Sequence, residues 1–111
     1  MATLGSEHVF EAVHASLLDV DHRVRQAAIR ALTHLAETRN ASTMAAVAFC
    51  LEDPNMDVRD VAVASLAQIA SQGEDHALDP IATRLLHRDG GVRRAAIEAL
   101  AQTAKRGDET I

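Results

Sequence analysis

The sequence predicts an all-α protein: an α-solenoid of three stacked antiparallel helix pairs, wound as a right-handed stack. Three observations predict it. The pattern V-R-x-x-A-x-x-A-L-x-x-L-A of Val24–Ala36 returns, without insertion, at Val58–Ala70 and at Val92–Ala104, 34 residues on each time. A fixed period of this size marks units that each bury an apolar face against their neighbours. Apolar residues recur at helical spacing within every unit. Finally, the chain holds two Phe and no Tyr or Trp, so its core is built from Ala, Val, Leu and Ile, which suits closely spaced helices.

The elements follow in order. The first helix of each unit carries Phe10, Val13 and Leu17, then Met44, Val47 and Leu51, then Leu78, Ile81 and Leu85, each set spaced three and four apart as one helical stripe. A turn follows: Asp19–Arg23, Asp53–Asp57 and His87–Gly91 are rich in Asp, Asn, Pro and Gly, which stop one helix and start the next. Asp21, Asn55 and Asp89 stand where an N-cap accepts from the first free backbone N–H groups. The second helix carries Val24, Ala27, Ala28, Ala31, Leu32 and Leu35 as its stripe, and methyl contacts let helix backbones approach closely. Short links at Glu37–Ala41 and Ser71–Asp75 divide the chain into units at about 7–39, 41–73 and 75–107, one domain over 1–111.

Composition narrows the class. A net charge of −5 has the wrong sign for a nucleic-acid binder. Arg23, Arg30, Arg94, Lys105 and Arg106 share their helices with Glu37, Asp60 and Glu98, and no aromatic side chain is placed to stack on bases, so no nucleic-acid partner is expected. The single cysteine, Cys50, excludes a disulfide framework within the chain. It aligns with Ser16 and Arg84 and reads as a half-buried or surface residue without a task. No apolar run reaches spanning length and residues 1–6 lack a basic start, so a soluble, cytoplasmic chain with no membrane partner is expected.

These residues resemble the HEAT repeat, in particular the short HEAT-like repeats of phycobilisome lyases. The signature reads as Leu51-Glu52-Asp53-Pro54, through Val58-Arg59, to Leu66, and Ala77-Leu78-Asp79-Pro80-Ile81 resembles the entry of a first helix. The likeness runs from about Glu7 to Ala104, and it implies an armadillo-like superhelix whose second helices line the concave side. It also implies a structural ladder in which Asp19 and Asp53 bond Arg25, Arg59 and Arg93 across units. His87, standing where Asp19 and Asp53 stand, departs from the pattern. The tetratricopeptide repeat has the same length but requires bulky aromatics that are missing here.

Catalytic constellations are not found. No G-x-S-x-G occurs, and the pair Gly90-Gly91 falls in a unit turn. Six His include no pair three or four apart, and the best local set, Glu7, Glu11 and His14, reads better as the polar outer side of the first helix than as a metal site. No catalytic residue, metal or cofactor is expected, and the ladder residues, recurring in every unit, are assigned to stability.

Opposite the apolar stripe of the second helices lie Gln26, Arg30, Thr33 and Glu37, then Asp60, Ala64, Ala67 and Ser71, then Arg94, Glu98, Ala101 and Lys105. A small uncharged floor inside a rim of mixed charge fits a groove for a peptide or helix. The plainer alternative is an idle surface, because Ala is a good helix former. The expected function is a non-catalytic protein–protein interaction or scaffold module; the alternative is an accessory subunit or fragment of a HEAT-like lyase or another cofactor-handling enzyme. At the last unit Ala95, Ala96, Ala99 and Leu100 are expected to lack cover, giving a monomer that dimerises weakly, by twofold pairing of this C-terminal end. A complete small domain and a piece of a longer array both fit that end.

Overall fold

The computed structural model describes residues 2–35, 40–70 and 78–109, with side chains over 8–35, 42–70 and 78–105. Among the described residues there are six α-helices and no strand: α1 (Ala2–Ala15), α2 (His22–His34), α3 (Asn40–Phe49), α4 (Met56–Ala70), α5 (Asp79–Ala82) and α6 (Gly90–Glu109). Each odd-numbered helix tightens into a 3-10 turn, at Ser16–Leu18, Cys50–Glu52 and Thr83–Leu86. The next residue, Asp19, Asp53 or His87, then swings to extended backbone with ψ of 148°, 139° and 145°. One turn geometry is thus built three times from three different sequences. Pro80 lies in the first turn of α5, where a missing N–H costs nothing. Of the links between units, residues 37–39 and 71–75 lie outside the described residues.

The second helices are neighbours in chain order, α2 against α4 and α4 against α6, and each also packs on the first helix of its own unit. The molecule measures 41 × 37 × 19 Å, and its thin dimension is about two helix diameters. Two layers of helices fill that depth. The core runs between them through Ile29, Leu32, Met44, Val47, Leu51, Val58, Leu66 and Ile81, all buried. Each such side chain gains roughly 1.5–3 kcal/mol from leaving water.

Burial changes in a regular way from unit to unit. Val24 is 38% exposed and Ala27 is exposed, yet their equivalents Val58, Val92 and Ala95 are buried. In the second and third units those positions therefore face the preceding unit, and the expected stripe is corrected at Val24 and Ala27, which no described unit covers. Ile29 and Val63, outside that stripe, are buried, whereas their equivalent Ile97 is 58% exposed. This position faces the following unit. The expected open end is corrected for the same reason: Ala95, Ala96 and Ala99 are buried against α4 and α5, while Ile97 and the half-buried Leu100 face outward.

Cys50 is likewise buried, not half-exposed. Its Sγ donates to the Ala46 carbonyl oxygen at 3.7 Å, and burial pushes the thiol pKa up to about 12.

Candidate partner-binding layer on the second helices

The layer is positioned by the turns beneath it. Asp21 Oδ1 accepts from the Arg23 N–H at 2.8 Å, Asn55 Oδ1 from the Val58 N–H at 3.1 Å, and Asp89 Oδ1 from the Gly91 N–H at 2.7 Å. All three expected caps are made. The Arg23 guanidinium, bonded to both oxygens of Asp21, holds that carboxyl down to about 2. Asp19 Oδ1 and Asp53 Oδ1 each accept a backbone N–H two residues on, at 2.9 Å. In the third unit His87 Nδ1 takes that role, accepting from the Asp89 N–H at 3.0 Å. An imidazole nitrogen with a free lone pair replaces the carboxylate, which places the neutral ring's proton on Nε2, 3.5 Å from Glu52 Oε1.

The ladder residues turn out to do two jobs. Within each unit the recurring arginine reaches back to the turn: Arg25 donates to the Asp19 carbonyl oxygen, Arg59 to that of Asp53 and Arg93 to that of His87, each at 2.7 Å. Between units, and among the described residues, only Arg25 of the three finds a carboxylate, with Nε 2.8 Å from Asp53 Oδ2 and Nη2 3.1 Å from Oδ1. That forked bond raises the Arg25 pKa above its ordinary value. The equivalent acceptor for Arg59 would be an acid at position 87, where the sequence has histidine. The second junction is held instead by Arg84 Nε on Glu52 Oε2 at 3.0 Å. Neither Glu52 nor Arg84 recurs in the other units, so the repeat pattern held no signal for them.

Above the turns, the second helices leave two adjoining grooves. One, of about 400 Å³, lies between α2 and α4 and is lined by Arg30, Thr33, His34, Asp60, Ala64 and Gln68, among others. The other, of about 360 Å³, lies between α4 and α6 and is lined by Met56, Arg59, Asp60, Arg94, Ala95 and Glu98. Asp60 borders both. Arg94 Nε pairs with Glu98 Oε2 at 3.2 Å across one helical turn. Of the expected site, Arg30, Asp60 and Ala64 come together in the first groove, and Asp60, Arg94 and Glu98 in the second.

Three expected residues fall elsewhere. Gln26 is half-buried and its Nε2 lies 3.2 Å from His22 Nδ1, beside the turn. Ala101 is exposed on α6 but lines neither groove. Ala67, expected on the groove floor, is 0% exposed and is corrected to the core. The middle helix α4 has α2, α6 and α3 on three sides, so its outer row is narrowed to Asp57, Asp60, Ala64 and Gln68. The floor therefore carries a methyl at Ala64 and none at Ala67, and is narrower than the sequence suggests. His34, Val61, Gln68 and Met56 were not expected to line grooves.

Among the described residues no group of three or more His, Cys, Asp or Glu side chains clusters as a metal site. The side chain of Glu7 lies outside those residues, and the His14 ring packs on Phe10 with centroids 5.9 Å apart. No described helix is long and apolar enough to cross a membrane.

This arrangement defines a helical repeat protein. The family model for HEAT repeats matches residues 43–110, more than half of the chain, and the chain belongs to the HEAT-repeat family. No curated protein matches it. The match takes in the second and third units, and the first repeats their caps and clamps.

Proposed function

We propose that this chain is a non-catalytic protein-interaction module: an α-solenoid of three antiparallel helix pairs whose second helices form a concave binding layer. The observation that carries the reading is the pair of grooves sharing Asp60, with the small exposed Ala64 lining the first of them beside Arg30 and Asp60. A partner segment laid across α2, α4 and α6 would touch a methyl floor where its backbone or a helix face can approach closely. It would find charges of both signs at the rim: Arg30 and Arg94 for acids, Asp60 and Glu98 for bases. Mixed charge fixes register and excludes wrong partners more than it adds affinity. Recognition through stacked second helices is carried by family analogy, and the groove geometry supports it.

The test is Ala64→Arg, which fills the floor from an exposed position without touching the core. It should abolish capture of the native partner while helix content and melting stay at parental values. Unchanged capture would sink the site. The reading as an accessory subunit of a lyase or another cofactor-handling enzyme predicts a purified protein that carries colour or metal, which the interaction reading does not.

A further inference from the structure

The two ends of the stack are complementary to each other. Internal junctions identify which positions a neighbouring unit covers. At the end formed by the third unit, Leu78 is 36% exposed, Ile97 is 58% exposed, and Leu85 and Leu100 are half-buried. Their equivalents in the first two units, Phe10 and Met44, Ile29 and Val63, Leu17 and Leu51, Leu32 and Leu66, are all buried. At the opposite end Val9 is 53% exposed and Val24 and Ala27 are exposed, where the equivalent Thr43, Val58 and Ala95 are buried and Val61 is half-buried. Each end thus offers one half of the apolar contact that the internal junctions make.

Charge completes the match. At the first junction Arg25, with Nη1 held on the Asp19 carbonyl, turns Nε and Nη2 onto Asp53, whose Oδ1 is also held by the Asn55 N–H. Both halves of that pair exist, preset and apart, at the two ends. Arg93 Nη1 is held on the His87 carbonyl at 2.7 Å, and Asp19 Oδ1 is held by the Asp21 N–H at 2.9 Å. Position 93 aligns with 25, and position 19 aligns with 53.

We propose that the third unit of one molecule docks on the first unit of a second copy, head to tail, with Arg93 taking the second copy's Asp19 as Arg25 takes Asp53. A twofold pairing of two C-terminal ends would join apolar faces but deny Arg93 that acceptor. Because the two contacting faces differ, a dimer still carries one free face of each kind, and association continues past the dimer into a filament, or into a ring where the rotation closes. Its strength falls with salt, since one of its bonds is a charge pair near the surface.

The experiment uses the 111-residue chain in sedimentation at rising concentration, with Ile97→Glu blocking one face and Ala27→Glu the other. Both positions are exposed, so both variants should keep parental circular dichroism; Val9→Glu is a second block of the same face as Ala27. The parent should pass beyond dimer, and each variant should lose all species above monomer. An equimolar mixture of the two variants should form a dimer and stop there, through the one junction still intact. Three results would overturn the proposal: a parent that stays monomeric, a mixture that stays monomeric, or Ala27→Glu and Val9→Glu variants that still dimerise while Ile97→Glu does not, the mark of twofold pairing.

Discussion

The second unit and the third are written on one template, yet they live in different surroundings. Leu66 and Leu100 align, as do Val63 and Ile97; the first of each pair is buried and the second is not. The difference is the neighbour, not the residue. Each unit's sequence specifies two contact faces, and among the described residues the middle unit is the one with both of them covered. The two junctions differ as well: the first is closed by the forked Arg25–Asp53 pair, the second by Glu52 with Arg84.

The largest test of that contrast is truncation at the aligned leucines. Leu66→Ala should cost about 2–5 kcal/mol, because a buried cavity cannot collapse between two neighbours, and Leu100→Ala about half as much. Denaturant unfolding measures both, and equal losses would remove the distinction between the units. Next come the junctions. A double-mutant cycle on Arg25 and Asp53, two side chains largely shielded from water, should give a coupling of about 1–2 kcal/mol. The same cycle on Glu52 and Arg84, where the carboxylate is more exposed, should give less than about 1 kcal/mol.

A smaller effect concerns Thr43, which is fully buried and whose hydroxyl has no partner among the described residues. Thr43→Val keeps the shape and removes the unsatisfied oxygen, so the melting curve should shift to a stability higher by about 1 kcal/mol. The smallest is a pH effect at Cys50. Its folded pKa, near 12, lies above the ordinary 9.0, so the unfolded chain ionises first and stability falls as pH rises from about 9 toward 12. By pH 9.5 the loss should be roughly 0.5–1 kcal/mol, and Cys50→Ala should flatten that part of the profile.

Much of the fold was legible because the period fixes it. Asp21, Asn55 and Asp89 cap as expected, since a cap is a local bond that needs only the right side chain at the right offset. The clamp of each arginine on its turn was only partly legible: the family's ladder named the residues, but His87 keeps the turn with Nδ1 while breaking the cross-unit pair. What a single helical wheel could not supply was the number of neighbours around each helix. Ala67 and Ala101 occupy the same place on the wheel, yet α4 is enclosed on three sides and α6 is not, so one is core and the other surface. Glu52 and Arg84 join units without repeating, and periodic reading passes over such residues.

The central claim is that the groove beside Ala64 receives a protein partner, and a photo-crosslinking side chain placed at 64 tests it most directly. The control position is Ala82, exposed on α5 in the first-helix layer. With the native host's proteins present, position 64 should give one discrete adduct, lost when Arg30 and Asp60 are exchanged for residues of opposite charge, and position 82 should give none. Adducts of equal yield at both positions, or at 82 alone, would contradict the account.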